Sequence, residues 1–408
     1  MIRIRDKALC CGCGACSQIC PKHCIVLSQD EEGFLYPSVN EETCVDCGLC
    51  EKVCPVINQR TVHNKPQQAY AAVNKTESIR MASSSGGVFR AIADVVMRDK
   101  GVVFGAKFDD NWSVIHDCTE TSDGLAAFQG SKYVQSEIRD CYQRAKIFLD
   151  QGRKVLFSGT PCQIAGLNLF LRKSYSNLVT VDLICHGVPS PRVWDEYLEE
   201  EIARQCNRKN SVLPRPIHEK DVLVEGIVFR DKSEGWKKYS FALALSTTKG
   251  SGEKIQFCSR MPLNKNIYLR GFLSNLYLRP SCYNCPAKSS KSGADITLAD
   301  FWNVHRVVED FDDNKGTSLI IVNSLKGKSL IDSTSLRIKK VDFNLAIQYN
   351  TAYFKSIPKP KDRNQFFSNW QREHNVMNVL EQMLHVSLSK KFYQLTKRIV
   401  RRLASFVK

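Results

Sequence analysis

The sequence predicts a small α+β module built around cysteines, then an α/β domain with a largely parallel or mixed sheet, then a helical C-terminal extension. Three observations carry this reading: a cysteine pattern given twice within the first 60 residues, strand–turn–helix units recurring through the middle of the chain, and a basic, apolar-striped stretch at its end. The expected boundaries are 1–60, 68–150, 151–310 and 311–408.

Composition sets the frame for each part. A chain of 408 residues with 43% hydrophobic content can bury cores for two or three domains. The opening "MIRIRDKALC" is charged and has no apolar core of the kind a leader needs, and no apolar run reaches the ~20 residues that span a bilayer. A cytoplasmic location is the expectation, and in a reducing compartment clustered cysteines bind metal or do redox chemistry. Lys+Arg exceed Asp+Glu by 58 to 42, a formal +16, which favours an acidic partner such as a small electron carrier, an anionic cofactor, nucleic acid or a membrane surface, and charge alone does not choose among them. No nucleic-acid partner is expected.

The first module follows from spacing. From Cys10 the run is C-x2-C-x2-C-x3-C-P, with Cys10, Cys13, Cys16 and Cys20 before Pro21; it recurs as Cys44, Cys47, Cys50 and Cys54 before Pro55. Three thiolates on one tight loop take three corners of a cubane, while the fourth reaches across to the neighbouring cluster. The expected sets are therefore Cys10, Cys13, Cys16 and Cys54 on one 4Fe-4S cluster, and Cys20, Cys44, Cys47 and Cys50 on the other. Gly12, Gly14, Ala15 and Gly48 leave room for the loops to close. Zinc prefers two separated C-x2-C pairs, so a triple run with a trailing C-P fits it badly. Residues 1–60 read as a ferredoxin-like module of the bacterial two-cluster type, with Cys11 and Cys24 as non-ligands.

Such a module moves single electrons, so a later domain must use them. After a polar connector, "SSSGGVFRAIADVVMRDKGVVFGAKFD" reads as a helix capped by Ser83–Ser85, with Val88, Phe89, Ile92, Val95 and Val96 on one face, then a buried strand. Gly86 and Gly87 at the helix start could expose amides to a phosphate, or simply cap a surface helix. In "KVLFSGTPCQIAGLNLFL", Val155–Phe157 form a strand, Thr160 is the N-cap and Pro161 opens a helix that puts Cys162 at its amino end, where the dipole favours a thiolate. The strand "LVTVDLIC" ends at Cys185, and "CYNC" adds Cys282 and Cys285. Cys118, Cys141, Cys206 and Cys258 read as small core hydrophobes.

The ordered landmarks "SSSGGVF", "GSKYVQS", "GTPCQ", "ICHG", "CYNC" and "ADITLADFW" resemble the beta subunit family of coenzyme F420 hydrogenase/dehydrogenase, over roughly residues 68 to 305. The resemblance implies a flavin-binding α/β domain that carries FAD, with a third 4Fe-4S cluster on Cys162, Cys185, Cys282 and Cys285. It also places Gly86, Gly87, Ser131, Lys132 and Tyr133 against the flavin. Lys132 could neutralise a flavin phosphate or a reduced-flavin anion, Tyr133 could stack on or hydrogen-bond the ring, and His186 could deliver a proton. Nothing in the chain identifies a deazaflavin pocket, so the organic substrate stays open.

The last stretch, "SLSKKFYQLTKRIVRRLASFVK", lines Leu388, Phe392, Leu395, Ile399, Leu403 and Phe406 on one helical face, with seven Lys/Arg and no acid. It could lie on the inner face of an anionic membrane or dock an acidic ferredoxin, or pack its stripe on the body. The expected function is a ferredoxin-dependent iron–sulfur and FAD oxidoreductase acting on an organic hydride acceptor. The alternative is a non-catalytic electron-relay subunit of a larger hydrogenase/dehydrogenase complex.

Overall fold

A computed structural model describes residues 1–61, 68–207, 222–248 and 254–385. Its strands are β1 Ile25–Gln29, β2 Leu35–Val39, β3 Gln68–Asn74, β4 Val102–Phe108, β5 Val114–Thr119, β6 Val155–Ser158, β7 Leu178–Leu183, β8 Val222–Asp231, β9 Ser240–Thr248, β10 Lys254–Pro262, β11 Ile296–Asp300, β12 Ser318–Val322 and β13 Leu336–Val341. Eight of them form one mixed sheet in the order β13-β3-β12-β11-β7-β6-β4-β5. The inner strands β11, β7, β6 and β4 pair in parallel, and the flanking pairs are antiparallel.

Strands covered on both faces read as continuous apolar runs, and β4 and β6 obey this: Val102, Val103, Phe104, Val155, Leu156 and Phe157 are all inaccessible to solvent. Alternate residues serve opposite faces. Val103 and Leu156 pack under the helices Val88–Arg98 and Leu325–Asp332, while Phe104 and Phe157 pack under Cys141–Asp150 and Pro161–Leu171. A second core lies beneath the antiparallel sheet β10-β9-β8, closed by the helices Pro191–Asn207, Ile267–Leu273, Arg363–Glu373 and Val376–Leu384.

The segments 68–150 and 151–310 share the one large sheet. The extension expected from residue 311 begins differently from its predicted helical form: β12 and β13 are strands of the sheet, on either side of β3. The cause is the run Leu319–Val322, wholly buried and too short for a helix to cover. The basic stripe at 388–406 lies outside the described residues. Among those described, no helix is long and apolar enough to cross a membrane.

The cysteine module is two short helices, Ala15–Ile19 and Leu49–Lys52, with the β1–β2 hairpin between the two cysteine runs. It sits on the face of the large sheet that bears the helix Pro161–Leu171, and Cys11, Cys13, Ala15 and Val53 join that core. The hairpin tip is clamped from two sides. Ser190 Oγ donates to Glu32 O at 2.5 Å, and Arg363 donates to both Glu32 carboxylate oxygens.

Candidate metal centres and cofactor pocket

The two cysteine runs take the same local form. Gly14 (φ 72°) and Gly48 (φ 68°) each stand in the left-handed region immediately before the helix that carries the third cysteine, Cys16 or Cys50. Cys10, Cys13, Cys16 and Cys54 line one cavity. Cys20, Cys44, Cys47 and Cys50 line another. These are the crossed sets expected from the spacing. Cys11 lines the first cavity and Cys24 the second.

The donor chemistry fits a polynuclear cluster. Each cavity is lined by four or more thiols and no histidine or glutamate, a donor set that suits iron–sulfur ligation. Backbone amides already point at sulfur: Ile2 N donates to Cys50 Sγ at 3.3 Å. Burial pushes the Cys16 thiol up to about 12, so a thiolate there needs a cation or a metal beside it.

A third group of thiols comes together in the α/β domain. Cys185 lies within electrostatic reach of Cys282, Cys162 and Cys285, and Cys282 and Cys285 of Cys162. Cys162 follows Thr160 and Pro161 at a helix start closed by a Thr160–Gln163 capping box, and Thr160 Oγ1 is 3.2 Å from its sulfur. Cys185 lies just beyond β7, and Cys282 sits in the short turn Pro280–Asn284, where Val188 N donates to its sulfur at 3.4 Å. The helix start does not by itself favour a thiolate at Cys162: the neighbouring Cys11 thiol and burial drive that pKa well upward.

The third group touches the first. The Cys11 thiol lies within electrostatic reach of both Cys13 and Cys162. A Cβ on Gly166, one helical turn after Cys162, would meet Cys13 Sγ at 3.0 Å. Arg279 spans the same gap and was not evident as a site residue in the sequence; its only signal there is its place three residues before Cys282.

The residues expected around a flavin also converge. Ser131 N donates to Ser84 Oγ at 2.6 Å, and Gln129 Nε2 to Ser83 Oγ at 3.3 Å, which holds the 129–131 turn on the Ser83–Gly87 loop. The helix after this loop is capped by Gly87 (φ 80°) rather than by the serines, because Ser83 and Ser85 hydroxyls bond Ile79 O and Thr317 O. Gly86 is required by packing, since a Cβ would lie 2.4 Å from Ala72 O, and its N–H is taken by Ser318 Oγ. It therefore offers no free amide to a phosphate.

Lys132 is half-buried, and its Nζ donates to the carbonyls of Ala127, Gln129 and Gly130 with no carboxylate partner. Desolvation pulls its pKa down to about 7. Lys232, also missed from sequence, is held the same way on Arg80, Ser85 and Lys315 carbonyls, with its pKa lowered to about 8 by burial. Arg230, buried beside Asp300, has its Nε and Nη2 unpartnered. Among the described residues, Lys132 and Lys232 have no carboxylate bonded to them, and Arg230 has only Asp300. The Tyr133 ring stacks on Phe272 at 4.8 Å, and His186 meets Phe272 edge-on at 5.1 Å while its Nε2 lies 2.6 Å from Asn275 Oδ1.

Of the remaining cysteines, Cys141 and Cys206 are buried, Cys118 is half-buried under Arg144, and Cys258 is exposed on the outer face of β10, contrary to its expected place in a core.

Residues 9–58 match the 4Fe-4S dicluster domain, and residues 152–342 match the C terminus of the coenzyme F420 hydrogenase/dehydrogenase beta subunit. No curated protein matches. A chain of the F420-reducing NiFe hydrogenase complex from Methanosarcina barkeri, solved with xenon, is 16% identical, with 68% of this chain and 82% of that one covered at a TM-score of 0.42. The chain thus pairs a match to the 4Fe-4S dicluster domain with a match to the C terminus of the coenzyme F420 hydrogenase/dehydrogenase beta subunit, and is an iron–sulfur electron-transfer protein related to that subunit.

Proposed function

We propose that the chain is a ferredoxin-dependent oxidoreductase with three 4Fe-4S clusters and FAD, which exchanges a hydride with a small organic substrate, coenzyme F420 or a biosynthetic intermediate. The observation that carries this is a line of close approaches: a Cβ on Gly166, one turn after Cys162, would meet Cys13 Sγ at 3.0 Å, Cys162 and Cys185 lie within electrostatic reach of each other, and His186 beside Cys185 meets Phe272, which stacks on Tyr133. When bound, the clusters supply single-electron transfer and FAD supplies conversion between single electrons and hydride.

The chain's own groups would divide the work as follows. Cys47 is exposed, so the set Cys20, Cys44, Cys47 and Cys50 faces the donor. Cys10, Cys13, Cys16 and Cys54 form the inner set of the dicluster domain, and Cys162, Cys185, Cys282 and Cys285 hold the third cluster. Lys132 and Lys232, with their backbone carbonyls already satisfied, supply positive charge to a flavin phosphate, and Gly87 and Ser131 shape the loop beside it. Tyr133 borders the ring. His186, with its pKa lowered by burial and its Nε2 bonded to Asn275, orients the loop after Cys185; proton delivery would require Nδ1 to carry the proton.

The test uses the single chain purified without oxygen. Reduced ferredoxin should bleach its flavin, denaturation should release FAD, and an added hydride acceptor should turn over without a second protein. FMN or no flavin overturns the reading. Turnover only with another subunit present makes the chain the relay member of a complex.

A further inference from the structure

Arg279 is inaccessible to solvent, and among the described residues no carboxylate pairs with it. Its Nε donates to Cys10 O at 2.7 Å, Nη1 to Gln135 Oε1 at 3.1 Å, and Nη2 to Leu35 O at 2.9 Å and Cys10 Sγ at 3.4 Å. The Tyr36 and Phe34 rings lie 4.3 and 5.4 Å from the guanidinium carbon. Every oxygen acceptor is neutral. A buried guanidinium with no counter-charge costs several kcal/mol, so this one calls for an anion at the sulfur it touches. Gly12 makes the approach possible, since a Cβ there would meet Arg279 Nη1 at 2.7 Å.

The same arginine serves the third group of thiols. Its carbonyl accepts from Cys282 N at 2.9 Å, and its charge acts on both Cys162 and Cys282. Lys288 adds a second cation there, with Nζ on Cys185 O at 2.6 Å. The outer set has no comparable charge. The Met1 ammonium lining that cavity is neutralised by Asp46 at 2.8 Å and Glu51 at 3.4 Å, and Lys22 is exposed to water.

We propose that Arg279 is the tuning charge of an inward gradient, raising the reduction potentials of the two inner clusters above that of the outer one. The proposal rests on the three-cluster reading. Reduction adds a negative charge to a cluster, and burial alone would oppose it; a fixed cation between the two inner sets reverses that penalty. Each transfer oxidises one cluster by one electron and reduces its inner neighbour by one, with no proton or further reactant.

The test is an anaerobic redox titration of the holoprotein followed by electron paramagnetic resonance, with the Cys282→Ser, Cys285→Ser double variant used to assign the third cluster. In the wild type the outer cluster should be the most negative. Arg279→Gln should lower both inner potentials and leave the outer one in place, shifting the electron's distribution by about tenfold or more, ~59 mV for a one-electron couple. Arg279→Lys should retain most of the inner potentials because the charge remains. An outer cluster that is not the most negative, no shift in the Gln variant, or equal shifts in the Gln and Lys variants would each overturn the proposal. If the Gln variant does not assemble, the wild-type order and the Lys variant decide between the same outcomes. Iron well below about twelve atoms per chain in the wild type would strike the three-cluster reading instead.

Discussion

Lys132 shows how a single residue connects burial to function. Its Nζ makes three carbonyl contacts, which an ammonium can satisfy in full and a neutral amine cannot, yet desolvation draws its pKa to about 7 from 10.5. Because the folded value lies below the unfolded one, the charged form is penalised in full below about pH 7, and stability is regained as pH rises toward the unfolded value. The flavin-free protein should therefore gain thermal stability from about pH 7 to about pH 9, and Lys132→Met should flatten that rise. An anionic flavin phosphate restores the proton, so binding at about pH 8 should take up close to one more proton in the wild type than in Lys132→Met, read by calorimetry in buffers of different ionisation heat. Losing this charged contact should weaken flavin binding by roughly tenfold to a hundredfold. At this scale the grouping of the cysteines around two cavities was legible in sequence because their spacing repeats. Arg279, Lys232 and Arg230 were not, because a buried arginine and a surface arginine look alike until the fold encloses one of them.

The helix Pro161–Leu171 joins the two halves of the electron route. Its Thr160 cap and Pro161 start were readable from the sequence, and both stand where expected. Its contact with the module was not, since Gly166 reads there only as a weak helix residue. A Cβ at Gly166 would meet Cys13 Cβ and Sγ at 3.0 Å and Tyr142 Oη at 3.2 Å. Gly166→Val should cost about 1–3 kcal/mol of stability by overpacking, measured by denaturant unfolding, and should slow electron passage from the dicluster domain to the flavin in stopped-flow traces. Unchanged stability and rate would show that this helix does not set the spacing. The strands β12 and β13 escaped the sequence reading for a related reason. A four-residue apolar run such as the "LIIV" of Leu319–Val322 has no helical or alternating period, and only the presence of β3 and β11 on either side of β12 makes it a strand.

Over the whole molecule, the parallel inner strands and the helices on both faces were legible from apolar runs alternating with capped helices. The docking of the cysteine module was not, since it depends on long-range pairs such as Glu32 with Arg363. Seven of the basic residues behind the formal +16 lie in the last stretch of the chain. Around the exposed Cys47 edge, charges are paired, as in Arg3 with Glu41 and Met1 with Asp46. Attraction of an acidic ferredoxin would then be a long-range effect of net charge, and ferredoxin-driven reduction should slow as salt rises past ~0.1 M, where the Debye length is ~10 Å. A rate independent of salt would remove electrostatic docking from the account. The central claim is that three clusters in series feed one flavin, and the Cys282→Ser, Cys285→Ser double variant tests it most directly. Iron should fall from about twelve to about eight atoms per chain, with the dicluster domain still reduced by ferredoxin and the flavin no longer reduced through it. Iron unchanged by the two substitutions, or a flavin reduced as fast as in the wild type, would contradict it.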